Sequence, residues 1–321
     1  ANGDIITCVM TSNATCPTGN PATSNQVVMS IVSPATANIS ISADDNSICA
    51  GTNVTFTAVA GNGGGTPTYQ WKLNGANVGT NSNTYSNAAL ANNDVVFCVM
   101  TSSLSCVLSS PASSNIILMS VSPNLPVSVS IAADDNNICA GTNVTFTATP
   151  TNGGVAPVYQ WKLNGTNVGV NAATYSSTAF ANGDIISCVL TSNAVCPTGN
   201  PATSNPVVMV VNPNLPVSVS ISADNNNICA GTNVTFTAVP TNGGAAPVYQ
   251  WKLNGANVGA NSTTYSSTSF ANGDIITCVL TSNAVCPTGN PATSNPVVMV
   301  VNPNLPVSIS IAADDNNICA G

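Results

Sequence analysis

The chain has 321 residues, only 4% of them charged, and its formal charge of −8 is carried wholly by aspartate. It has no Glu, Arg or His, and its only basic side chains are Lys72, Lys162 and Lys252. Such a surface cannot neutralise phosphates, which excludes nucleic acid as a partner. It also excludes polybasic attachment to anionic lipid and acid–base catalysis through imidazole or glutamate, so no catalytic residue and no enzyme activity are expected.

The chain opens in the middle of a repeating unit. Asn2-Gly3-Asp4-Ile5-Ile6-Thr7-Cys8 returns around Cys98, Cys188 and Cys278, and Cys49-Ala50-Gly51-Thr52-Asn53-Val54-Thr55-Phe56 returns at Cys139 and Cys229 and begins again at Cys319. The period is ninety residues without drift, the size of a whole small domain rather than of a solenoid turn. Residues 1–33 read as the closing part of a unit, 34–122, 123–212 and 213–302 as complete units, and 303–321 as the opening part of the next. The expected context is an interior piece of a longer polypeptide. Apolar runs such as Val297-Val298-Met299-Val300-Val301 are far too short to cross a membrane, and no direct insertion is expected from this segment.

Within 123–212, Val127 to Ile131 alternates apolar residues with serine and reads as a half-buried strand. Asp134-Asp135-Asn136-Asn137 is a polar turn. Val144, Phe146 and Ala148 then share one face, and Tyr159, Trp161 and Leu163 share the inward face of the next strand, with Gln160 and Lys162 toward water. Asn164-Gly165 has the chemistry of a type I′ hairpin turn. A short strand around Val168, another from Thr174 to Phe180, and one from Asp184 to Thr191 follow, the last pointing Ile186, Cys188 and Leu190 to one side. A Pro/Gly loop leads to Pro206 through Val211, and Pro213-Asn214-Leu215-Pro216 reads as an extended, semi-rigid linker. About seven short strands per ninety residues and no helical period make the expected fold all-β: tandem immunoglobulin-like β-sandwiches. An all-β barrel is the alternative.

The segments Cys-Ala-Gly-Thr-Asn-Val-Thr-Phe-Thr-Ala, Tyr-Gln-Trp-Lys-Leu-Asn-Gly and Asn-Gly-Asp-Ile-Ile-Thr-Cys-Val-Leu-Thr-Ser together resemble the Ig-like or PKD-like repeats of secreted surface proteins of Bacteroidota. The resemblance covers essentially the whole chain. It implies tandem Ig-like domains, export by the type IX system, and a role in adhesion or gliding as stalk or spacer.

The twelve cysteines fall into the triplets Cys8/Cys16/Cys49, Cys98/Cys106/Cys139, Cys188/Cys196/Cys229 and Cys278/Cys286/Cys319. In charge-poor small domains they point to an oxidising, extracellular setting; zinc would want closer Cys pairs or histidine. An antibody-type disulfide joins the second and sixth strands, but the second-strand position is Ala58, Ala148 or Ala238. Several pairings stay open. Cys278 could bond Cys286 across a short turn near Ser282; Cys139 could close on Cys188 or Cys196, or reach back to Cys98 or Cys106; the remaining cysteine could be a buried thiol. The expectation adopted is one staple within each domain, with the other cysteines joining units or neighbouring chains.

Asp44-Asp45, Asp134-Asp135 and Asp314-Asp315 are candidate Ca²⁺ ligands, with a solvated turn as the competing reading; no other cofactor is expected. The three lysines invite comparison with isopeptide-forming lysines, yet alternation exposes them. Trp71, Trp161 and Trp251 could offer a sugar-stacking face, but their phase assigns them to the core. Asn53, Asn143 and Asn233 open sequons, as do Asn13, Asn38, Asn164 and Asn261. The expected function is a structural filament or stalk on a bacterial surface, its partners copies of itself and possible surface glycans or a host protein. The alternatives are a multivalent binding module and a spacer in a secreted enzyme.

Overall fold

Alternation decides which side chains enter the core. In the computed structural model, which describes residues 1–312 and Asp314, Val144, Phe146 and Ala148 are buried while Thr147 between them is exposed. The described residues form strands, turns and coil and contain no helix, hence none long and apolar enough to cross a membrane. The opening of the next repeat beyond Asp314, with Asp315 and Cys319, lies outside the described residues.

Each complete repeat contains two antiparallel sheets. In 34–122 the first is a leading strand, Asn38–Ala43, a central phenylalanine strand, Val54–Gly61, and a tyrosine strand, Thr84–Asn87. The second runs Ala76–Val78, the tryptophan strand Thr68–Leu73, the cysteine strand Val95–Thr101, and then the short segments Ala112–Ser113 and Ile117–Leu118, both paired to the cysteine strand. The same orders recur in 123–212 and 213–302. These are open immunoglobulin-like sandwiches in tandem, not closed barrels.

The described chain divides into two compact units. The first comprises Ala1–Ser128 with the loops Thr151–Pro157 and Thr191–Pro201; the second comprises Val129–Pro150, Val158–Leu190 and the chain from Ala202 onward. Two loops of the middle repeat therefore belong with the first unit.

In the first unit the core gathers Ile39, Ile41, Phe56, Trp71, Cys98, Met100 and Met119. The Trp71 indole N–H donates to the Ser82 carbonyl at 2.9 Å, so its one polar atom is satisfied while the ring is fully buried. In the part of this unit formed by 1–33, Ile5, Ile6, Val9 and Met10 are exposed. They sit in two-residue ladders, Ile5–Ile6 with Val27–Val28 and Val9–Met10 with Ala22–Thr23.

In the second unit Phe236, Trp251 and Tyr265 pack with ring centroids 5.9–6.4 Å apart, and Phe270 meets Phe236 edge-on at 5.6 Å. In 34–122 the corresponding fourth member is the buried Leu90. Tyr265 lies against Gly259, whose φ of +67° is left-handed and where a Cβ would stand 2.8 Å from Cδ2 of the tyrosine. Only glycine fits there. Asn254 and Gly255, at φ of 50° and 84°, make the expected two-residue hairpin between Leu253 and Ala256.

The two sheets are also joined by amides. Asn205 accepts from the Ile131 N–H at 3.0 Å and donates to its carbonyl at 3.1 Å, and Asn295 does the same for Ile221. These pairs do the work of a backbone ladder at a sandwich edge without charge.

Because Trp251 is fully buried among aromatics, Trp251→Ala removes packing that no neighbour replaces. The expected loss is about 3–5 kcal/mol, seen as a lowered urea midpoint for that repeat by circular dichroism.

Candidate functional site: the covalent junction between repeats

The junction starts at the aspartate pair. Asp44 Oδ1 accepts from the amides of Asp45 and Thr55 at 2.9 and 3.0 Å, and Asp45 Oδ1 accepts from Ser47 at 2.8 Å. Asp134 and Asp135 repeat this pattern. In the third repeat Asn225 takes the second place and its amide oxygen accepts from Asn227 at 3.0 Å, so the position requires an acceptor rather than a negative charge. The carboxylates thus organise a turn. Among the described residues, which include Asp314, no group of three or more acidic or Cys side chains is placed to hold a metal ion.

The turn carries the chain from the first sheet to the edge of the second. Ser47–Cys49, Asn137–Cys139 and Asn227–Cys229 each pair in parallel with the last strand of their own repeat, in the register Cys49↔Ser122, Cys139↔Asn212 and Cys229↔Asn302. The opening cysteine therefore stands where the chain leaves its repeat. At the next residue Ala50 donates to the Ser122 carbonyl at 2.9 Å, and Ala140 to Asn212 at 2.9 Å. Linker asparagines close the contact from the other side: Asn124 Nδ2 donates to the Ala50 carbonyl at 3.0 Å and Asn214 Nδ2 to Ala140 at 3.1 Å.

The linkers are docked rather than free spacers. Leu125–Pro126 pairs in parallel with Pro197–Thr198, and Leu215–Pro216 with Pro287–Thr288. Leu125 donates to the Cys196 carbonyl and Leu215 to that of Cys286, both at 2.9 Å. The loop that delivers Cys196 is itself fixed, since Asn200 bridges both backbone groups of Ser192 and the Ser192 hydroxyl donates to the Asn152 carbonyl. Cys196 and Cys286 hold a left-handed φ of 57°.

These two deliveries meet in Cys49–Cys196 and Cys139–Cys286, with Cα atoms 5.4 and 5.5 Å apart and a sequence separation of 147 in both. Such Cα distances are ordinary for disulfides. Each bond lies within one compact unit and joins one repeat to the next.

This corrects the expectation of a staple inside each domain. Cys106 lies at the upstream end of its repeat, where Val107–Leu108 pairs with Ala35–Thr36, while Cys49 lies at the downstream end beside Ser122. The strand path between these ends is roughly 30 Å at about 3.3 Å per residue, beyond the reach of a disulfide. The hairpin bond Cys278–Cys286 does not form because Cys278 lies across from Ser294, whose amide donates to its carbonyl at 2.9 Å. Cys286 sits in the loop beyond that pairing. Cys139 does bond outside its own repeat, but forward to Cys286 rather than back to Cys98 or Cys106.

Cys98, Cys188 and Cys278 are free thiols with no solvent exposure. Burial pushes each up from 9.0 to about 11, partly opposed by a backbone hydrogen bond from the strand carrying the tryptophan. Cys8, Cys16, Cys106 and Cys229 are free and exposed. Trp71, Trp161 and Trp251 are wholly buried and offer no stacking face. Lys162 Nζ reaches Asn167 Oδ1 at 3.0 Å in an exposed setting, remote from the chemistry of an isopeptide. Of the sequon asparagines, Asn53 is exposed, whereas Asn164 and Asn261 cap the backbone at Ile185 and Tyr249. The junction asparagines Asn124 and Asn214 were not singled out by sequence; their only signal is recurrence one residue after a proline.

No family model and no curated protein matches this chain. Among solved structures it is similar to the three N-terminal domains of the highly immunogenic outer capsid protein of bacteriophage RB49, at 13% identity and a TM-score of 0.31 over 83% of this chain and 99% of that one. The ectodomain of mouse nectin-like molecule 4 gives 12% identity and a TM-score of 0.30, over 86% of this chain and all of that one. The eight N-terminal Ig domains of Down syndrome cell adhesion molecule give 12% and 0.33, over 83% of this chain and 37% of that one. At such scores the likeness does not bear on function, and the fold assignment rests on the strand order above.

The buried thiols carry a pH prediction. Each binds its proton more tightly folded than unfolded, so its contribution is complete below about pH 9 and is lost as pH rises toward about 11. Urea midpoints at pH 8 and pH 10.5 should differ less in a Cys98→Ala, Cys188→Ala, Cys278→Ala variant than in the native chain.

Proposed function

We propose that this protein is a non-enzymatic structural component of an extracellular or cell-surface array, in which tandem Ig-like repeats are joined by interleaved disulfides to bear load in adhesion or surface contact. The observation that carries the reading is the overlap of Cys49–Cys196 with Cys139–Cys286 along the sequence. A peptide bond broken anywhere between Cys49 and Cys286 leaves the two sides covalently joined, which suits a tether exposed to force and proteases. Two disulfides also suit an oxidising compartment, and the resemblance to Bacteroidota surface repeats supports a bacterial surface as its location. The near absence of charge leaves little repulsion between neighbouring copies, which favours lateral association into a fibre.

Single-molecule stretching between the termini tests the reading. With the staples intact, the covalent path from Cys49 to Cys286 shortcuts through 139–196. Reduction should then lengthen full extension by roughly 600 Å, at about 3.5 Å per freed residue. Equal extension with and without reductant would contradict a load-bearing role for these bonds.

A further inference from the structure

Among the described residues, Cys16, Cys106 and Cys229 are exposed thiols at the positions of the bonded cysteines. Cys229 is the opening cysteine of its repeat, equivalent to Cys49 and Cys139, and shares their parallel pairing through Cys229↔Asn302. Cys106 is the cysteine that follows the sixth strand, equivalent to Cys196 and Cys286, and its carbonyl likewise accepts from the segment that leads into its own repeat, at Ala35. Both positions are bonded at each closed junction and open here.

Half of a third junction is already assembled around Cys229. Ala230 donates to the Asn302 carbonyl at 2.9 Å, as Ala50 and Ala140 do to Ser122 and Asn212. Asn304 Nδ2 donates to the Ala230 carbonyl at 3.2 Å, as Asn124 and Asn214 do to Ala50 and Ala140. The sulfur is left presented with its docking contacts made and no partner.

We infer that Cys229 is a directional linking site for a further Ig-like repeat of this same type, bonding the cysteine that follows that repeat's sixth strand, and that Cys106 is the complementary site. The bond is opening cysteine to post-strand cysteine and never like to like, which gives the array a polarity. This deepens the proposed stapled array. The partner repeat comes from further along one polypeptide or from a second copy. The oxidant is a small-molecule disulfide such as glutathione disulfide: one thiol displaces a glutathione thiol to give a mixed disulfide, and the second thiol displaces the other. One S–S bond forms, one is consumed, and two glutathione thiols leave.

The test is oxidation of the 321-residue chain with glutathione disulfide over a range of concentrations, followed by non-reducing electrophoresis and peptide mass spectrometry. The expected result is a concentration-dependent ladder whose cross-linked peptides join Cys229 to Cys106, or to Cys16 at the equivalent position, at least tenfold over Cys229–Cys229. Cys229→Ser removes the cross-links to Cys106 and Cys16 made by that position while leaving Cys49–Cys196 and Cys139–Cys286 in place. In a chain prolonged by its own following repeat, the same bond closes within the chain, independent of concentration. Cys229 carrying glutathione alone, or equal like-to-like pairing, would overturn the inference while leaving the internal staples, and the array reading, standing.

Discussion

A short parallel pairing governs the covalent architecture. Three residues after the aspartate turn lie beside the last strand of their own repeat, so a cysteine early in the sequence is placed where the chain departs. Once Cys49 is held opposite Ser122, its own repeat's Cys106 is at the far end and out of range. The sulfur within reach is the one delivered by the next repeat's loop. The docked linker completes this, because Asn124 fastens one side and Leu125 and Val127 the other. Backbone hydrogen bonds thus select the disulfide partner before any sulfur chemistry occurs.

The interior follows from the same economy of charge. The sole ion pair among the described side chains and termini is that of the N-terminus with Asp4. Asparagine amides and serine hydroxyls do the bridging instead, and no buried side-chain polar atom among the described residues lacks a partner. In antibody-type domains a disulfide spans the sheets beside the tryptophan; here Ala58 and Ala238 face the core on the phenylalanine strand, and Cys98 and Cys278 remain buried thiols. The sheets are held by the indole, the aromatic cluster and edge asparagines. The bonded cysteines serve the joints rather than the cores.

Much of this was legible from residues alone. Period-two alternation identified the buried faces of the phenylalanine, tryptophan and cysteine strands, because in a sandwich one side of each strand meets the core and the other meets water. Asn164-Gly165 specified its hairpin for steric reasons that are local to two residues. The disulfide partners were not legible. They depend on which end of the sandwich each cysteine reaches, and that depends on a strand crossing from one sheet to the other at Asp44-Asp45. Nothing in composition marks such a crossing. The constant separation of 147, one repeat length beyond the pairing within a domain, becomes meaningful only with the ends located.

Interleaved disulfides between consecutive repeats are the claim on which the rest stands. The most direct measurement is disulfide mapping by mass spectrometry of native, alkylated protein under non-reducing digestion. The account predicts peptides linking Cys49 to Cys196 and Cys139 to Cys286. Peptides linking Cys49 to Cys106, or Cys139 to Cys188 or Cys196, would contradict it.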